Sequence, residues 1–112
     1  MSDRLQEPPD LLAIGHVAKD LEPGGYRVGG AVTYAALTAR DMGLSPAVVT
    51  SVGPDLDAAG SLPGIRVHTV PAPDTTTFRN TYDGGRRTQV LSGVAAPLDV
   101  TDIPAEWRAA PL

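Results

Sequence analysis

Few residues of this 112-residue chain combine type and spacing in a way that could do chemistry. Asp20 follows the apolar run Leu11-Leu12-Ala13-Ile14-Gly15-His16-Val17, and Gly29-Gly30 precedes an alanine-rich periodic segment. In parallel α/β sheets, ligands lie outside the carboxyl ends of the strands. A first strand ending near Asp20 and a helix opening at Gly29-Gly30 would therefore bring these residues together. A carboxylate can accept hydrogen bonds from two hydroxyls of a polyol, and glycines let backbone N–H groups approach a ligand with no Cβ in the way. The competing reading makes Asp20 a turn residue and the glycines a plain helix start.

A second group lies around Asp83-Gly84-Gly85-Arg86, a strong hairpin signal because glycines accept the positive φ of tight turns. With Gly84-Gly85 as the loop, Phe78 faces Leu91, Asn80 faces Gln89 and Tyr82 faces Arg87, all on one face. Phe78, Tyr82 and Leu91 offer apolar area, and Asn80, Gln89 and Arg87 offer hydrogen bonds, the mixture a sugar needs. The competing reading is a half-buried hairpin covering the main sheet. His16 and His68 read as ordinary strand residues, because a zinc site would need distant carboxylates to complete it. Trp107 reads as a packing anchor, and Asp99, Asp102 and Glu106 as a solvated face.

Composition excludes several classes. Phosphate loops of the G-x-x-x-x-G-K-[ST] type, G-x-S-x-G elbows and G-x-G-x-x-G after a strand are absent. The net charge of -4 and the 4% aromatic content argue against a nucleic-acid surface. Zero cysteine removes disulfides and thiolate chemistry and suits a cytoplasmic chain. No apolar run approaches the roughly 18 residues that span a bilayer, so no membrane partner is expected.

The elements that must position these residues are short, because 12 glycines and 11 prolines interrupt the chain. Residues 1–9 form a polar lead. The run from Leu11 to Val17 reads as a buried strand, and Ala18 to Gly30 as a Gly-rich connection too broken for a helix. Val32, Ala35, Ala36, Ala39 and Met42 recur at helical spacing up to Gly43. Ala47 to Val52 reads as a second strand, making a βαβ unit, and Ile65 to Val70 as a third strand. At most a turn or two of helix fits between Gly53 and Gly64. After the hairpin, residues 103–107 suggest a helical turn.

Taken in order, Asp10-Leu-Leu-Ala-Ile-Gly-His-Val-Ala-Lys-Asp20, Gly29-Gly30 with the segment to Gly43, and Val49-Thr-Ser-Val-Gly-Pro-Asp55 resemble the start of PfkB/ribokinase-type carbohydrate kinases. The segment Thr75-Thr-Thr-Phe-Arg-Asn-Thr-Tyr with Gly84-Gly85-Arg86-Arg87 is similar to that family's substrate-covering β-segment. The resemblance implies an α/β, ribokinase-like fold: the N-terminal part of a mostly parallel sheet with a β-hairpin lid over residues 10–112. It also implies a sugar or polyol substrate, with Asp20 on acceptor hydroxyls, Gly29 and Gly30 beside the acceptor, and Tyr34, Phe78 and Asn80 as further contacts. Tyr34 stands where ribokinases commonly have Asn, and Ala31 where Lys is frequent, which makes the chain more similar to inositol-kinase-like or uncharacterised members. ATP and Mg2+ are implied for the whole kinase. The D-T-x-G-A-G-D-type motif that carries the family's catalytic Asp has no match here, so no catalytic residue is assigned. The expectation is an N-terminal fragment, incomplete as a domain and inactive alone, with the lid hairpin available to form a homodimer. The alternative is a complete, non-catalytic small-molecule-binding or interaction domain.

Overall fold

The computed structural model describes residues 7–112; residues 1–6 of the polar lead lie outside them. Its element order is β1 (Leu11–Ile14), β2 (Ala18–Glu22), β3 (Gly25–Gly29), α1 (Ala31–Asp41), β4 (Pro46–Val52), α2 (Ala58–Ser61), β5 (Arg66–Pro71), β6 (Thr77–Asp83) and β7 (Arg86–Gly93), followed by two 3-10 turns, Val100–Asp102 and Ala105–Ala109. These strands form two sheets. The core sheet has the order β1-β4-β5 and is all parallel, and the second has the order β3-β2-β6-β7.

The core sheet arises as its sequence demands. Every residue of β4 is buried, as suits a β-branched central strand covered on both faces. On one face Val48 and Val52 pack with Val17, Val32, Ala36, Leu56, Leu62 and Ile65, so α1 and α2 lie there. On the other, Ala47 and Val49 meet Trp107 of the tail, with Leu12, Leu98 and Ile103 around it. Trp107 is 6% exposed, and the Arg66 guanidinium and the edge of His68 lie against its ring. The packing anchor expected at Trp107 and the ordinary strand role of His68 are thus both seen, whereas His16, expected on the first strand, lies beyond it, because β1 ends at Ile14.

In α1 the buried positions are Val32, Thr33, Ala36 and Ala39. The expected stripe is corrected at two positions: Ala35 is exposed, and Met42, the residue capping the helix, is 74% exposed. Thr33 takes the inward place because its hydroxyl donates to the Gly29 carbonyl at 2.7 Å, which removes the cost of burying it. Gly43, at φ 87, ends the helix as expected.

The larger correction concerns residues 18–30. They are not an irregular connection but a hairpin in which β2 and β3 pair antiparallel, Asp20 opposite Arg27. Its turn, Glu22-Pro23-Gly24-Gly25, has Pro where φ must be near -65° and Gly24 at φ 84, as a type II turn requires. This hairpin then joins β6 in parallel, Asp20 beside Phe78. The lid is therefore a four-stranded sheet, of which the expected β6–β7 hairpin is half. That hairpin has the expected register, Phe78 with Leu91, Asn80 with Gln89 and Tyr82 with Arg87. It does not cover the core sheet: β7 is exposed from Arg86 to Ser92, and the molecule is elongated, 55 × 30 × 22 Å. No helix among the described residues is long and apolar enough to cross a membrane.

Candidate functional site

The lid sheet and the first turn of α1 enclose a cleft of about 480 Å³, lined by Asp20, Leu21, Glu22, Pro23, Arg27, Tyr34, Asn80 and Tyr82. Three of the six expected site residues, Asp20, Tyr34 and Asn80, meet there. Strand periodicity explains the convergence. Asp20, Arg27, Asn80 and Tyr82 occupy alternate positions on one face of the lid sheet, while Lys19 and Leu21 point to the other. Tyr34, 54% exposed, projects from the helix that opens at Gly30.

Asp20 is half-buried. A Cβ built on Gly29 would overlap its carboxylate, so a glycine at that position is what lets the carboxylate lie flat against β3. Its cross-strand neighbour Arg27 turns instead toward Glu22, at 3.7 Å. Among the described residues, the Asp20 carboxylate has no ion pair or side-chain hydrogen bond within reach. Asn80 uses its carbonyl oxygen to accept from Arg87 Nε at 3.3 Å, which leaves its amide N–H groups as donors. The cleft thus offers an unengaged double acceptor beside a free double donor, with two tyrosine rings at hand. That is the equipment for neighbouring hydroxyls on a small ring.

The other three expected residues sit next to this cleft. Gly29 is buried under Asp20, whereas Gly30 and Phe78 line a second, more apolar cavity of about 590 Å³ with Ile14, His16, Ala31, Thr76 and Leu98. Gly30 has φ 93, and a Cβ there would stand 2.5 Å from the His16 carbonyl oxygen, so its absence serves close backbone packing at the helix start. Phe78 is separated from the polar cleft, and its place on the shared face of β6 is met two residues on by Asn80. Tyr82, expected on the hairpin's sugar-facing side, also lines the cleft, and Arg27 and Glu22 complete it without having been among the expected contacts. Reading 18–29 as a hairpin would have placed Arg27 across from Asp20.

Behind the cleft, Lys19 Nζ lies 3.0 Å from Asp55 Oδ2 and 4.6 Å from the centre of the Tyr26 ring. Asp55 also accepts from the Thr75 hydroxyl at 2.6 Å, and Thr75 Oγ1 accepts from Gly53 N–H at 2.8 Å. The Thr75 hydroxyl first, and Lys19 second, hold the Asp55 carboxyl below its ordinary value of 3.8. This network ties the back of the lid sheet to the loop after β4.

Comparison with known proteins places this architecture. No protein-family model and no curated protein matches the chain. Among solved structures, a sulfate complex of a pyrophosphate-dependent kinase in the ribokinase family is similar at 28% identity and TM-score 0.67, covering 82% of this chain and 36% of that one. A pyrophosphate-dependent kinase of the same family, complexed with a pyrophosphate analog and myo-inositol, is 26% identical, with TM-score 0.64 over 82% of this chain and 35% of that one. The apo fructokinase of Vibrio cholerae O395 shares the fold at 20% identity and TM-score 0.63, over 85% of this chain and 38% of that one. The chain therefore spans little more than a third of the length of the solved kinases it matches. Over that span it has the ribokinase-like α/β fold.

Proposed function

We propose, from that shared fold, that this chain is the acceptor-binding and lid portion of a kinase that transfers a phosphoryl group to a hydroxyl of a sugar or polyol. The observation that carries the reading is the Asp20 carboxylate, half-buried and unpartnered, beside the free amide of Asn80 in a cleft also lined by Tyr34. Asp20 accepts hydrogen bonds from two acceptor hydroxyls. Asn80 donates to a hydroxyl oxygen, and Tyr34 supplies a ring face and a phenol. Gly29 keeps the carboxylate in its place, and Gly30 sets the helix start that presents Tyr34. Phe78 and the apolar cavity border the site on the side of the core sheet. A cyclic polyol of the myo-inositol class suits these groups, and a neighbour of similar fold was solved with myo-inositol.

ATP with Mg2+, or pyrophosphate as in those neighbours, would supply the phosphoryl group in the whole kinase. The described residues include no group of three metal-ligating side chains, and no phosphate-cradling motif occurs in the sequence. The chain's own residues bind and orient the acceptor. A second copy can pair through the edge of β7, where Val90 and Leu91 are each about half exposed, and the location is cytoplasmic.

Titration of the isotope-labelled chain with myo-inositol, fructose and ribose tests the reading. The expected result is saturable shifts confined to Asp20, Gly29, Gly30, Tyr34 and Asn80, with no turnover of ATP or pyrophosphate by these 112 residues. Absence of binding by all three polyols, or turnover by this chain alone, would overturn it. Sedimentation of wild type against Leu91→Lys reads the pairing of copies.

A further inference from the structure

The chain passes between the core sheet and the lid sheet four times: after β1, between β3 and α1, between β5 and β6, and after β7. His16 touches all four passages. It lies within the first, and its carbonyl oxygen fills the space that a Cβ on Gly30 would need in the second. Its ring reaches the other two: Nδ1 is 2.8 Å from Thr76 Oγ1, just before β6, and Nε2 is 2.8 Å from the Ala96 carbonyl oxygen, just after β7.

The partners fix the direction of one of these bonds. A carbonyl oxygen only accepts, so Nε2 donates to Ala96, while Nδ1 shares a hydrogen bond with the Thr76 hydroxyl. Thr76 Oγ1 in turn accepts from the Ala95 N–H at 3.1 Å. One imidazole therefore closes a ring of hydrogen bonds around both legs of the β6–β7 hairpin. Thr76 and Ala95 are buried, so these groups have no water to replace a lost partner. Beside them, Lys19 N–H donates to the Thr76 carbonyl at 2.9 Å, bringing the β2 strand to the same point.

We infer that His16 is a positioning residue, the pin that sets the angle of the lid sheet against the core sheet. The consequence follows from where the cleft residues sit. Asp20 and Asn80 ride on the lid sheet, whereas Tyr34 rides on the helix packed against the core sheet, so the angle His16 holds is the one that assembles the cleft. The identity of what the cleft binds rests on the function proposed above; the pin rests on the three contacts His16 makes with the other passages.

Amide hydrogen exchange on the whole chain, comparing wild type, His16→Phe and His16→Gln, tests this. Phe fills the ring's volume without its polar atoms, whereas a Gln amide supplies one acceptor and one donor at a similar separation. In His16→Phe the Lys19 and Ala95 amides should exchange on the order of tenfold faster relative to Val48, Val49 and Thr50 of β4. His16→Gln should stay near wild type. Residual dipolar couplings should show one common alignment for both sheets in wild type and a reduced one for the lid sheet in His16→Phe. If His16→Phe does not fold, Thr76→Val removes the same bond from the other side and is read at the Lys19 amide, because Ala95 loses its own acceptor in that variant. Equal acceleration in both sheets, no acceleration, or a Gln variant as loose as the Phe variant would each overturn the pin. Failure of wild type to bind any of myo-inositol, fructose and ribose would sink the acceptor reading while leaving the exchange result to judge His16.

Discussion

Replacing Asp20 by Asn separates a binding role from a structural one, because the two roles predict opposite outcomes. The side chain is half-buried and engages none of the described residues through an ion pair or a side-chain hydrogen bond, so removing its charge breaks no bond in the protein. Stability should stay within about 0.5 kcal/mol of wild type, as for a substitution that meets none of the usual destabilising mechanisms. Binding should suffer. A hydrogen bond to a charged group contributes about 1.5–3 kcal/mol. Asn keeps one acceptor oxygen and turns the other position into a donor, so one ligand hydroxyl loses its partner. The affinity for myo-inositol should fall roughly 10- to 150-fold. Gly29→Ala should reproduce this without touching the charge, since the new Cβ would displace the carboxylate from its seat on β3. Calorimetric titration gives the affinity and urea unfolding the stability. A loss of more than about 1 kcal/mol in stability with unchanged binding would show that the protein, not a ligand, uses this carboxylate.

Two further outcomes probe the links between the sheets and the tail. The Asp55 carboxyl is held below 3.8 by the Thr75 hydroxyl and then by Lys19, so its contribution is complete above that pH and is lost as the pH falls through its lower, folded value. Asp55→Asn should therefore flatten the acid side of the stability profile below about pH 4, leaving the slope near neutrality unchanged, as read by urea midpoints across pH. Trp107→Ala should cost about 3–5 kcal/mol, the range for deleting a buried large aromatic, and should lower the urea midpoint accordingly. Trp107 is the single tryptophan, so in wild type its emission should shift to the red in step with the loss of strand signal. An earlier shift would mean that the tail detaches on its own.

How much of this was legible in the sequence depended on where burial imposes a pattern. The segment Ala47 to Val52 is rich in β-branched residues and lies between Pro46 and Gly53, and β4 falls there, with Pro46 as its first residue. The β6–β7 register followed from Gly84-Gly85 alone, because a two-residue loop leaves no freedom in the pairing. The β2–β3 hairpin was missed for the opposite reason. Lys19, Asp20, Glu22, Tyr26 and Arg27 form strands that bury little, so neither alternation nor β-branching marks them. Pro23-Gly24 was the available signal, a type II turn in the middle of the segment. The parallel pairing of β2 with β6 joins Lys19 to Thr77 across the whole core unit, and no local pattern encodes a contact of that span. Asp20 and Asn80 were each identifiable singly; their meeting, with Arg27 between the turn and Tyr34, depends on that pairing.

The cleft is shared by two bodies, and this decides what its glycines are for. A glycine pair at the junction of a lid and a helix invites the idea of a loose joint. The geometry argues otherwise. Gly29 is buried beneath a carboxylate, and Gly30 lies so close to the His16 carbonyl that any side chain would collide with it. Both positions lack a Cβ because something else occupies its place. A joint built by close contact moves as a unit or not at all, since packed interfaces are discrete rather than continuously deformable. Movement of the lid sheet must therefore turn all four passages together, carrying Asp20 and Asn80 toward or away from Tyr34 in one step.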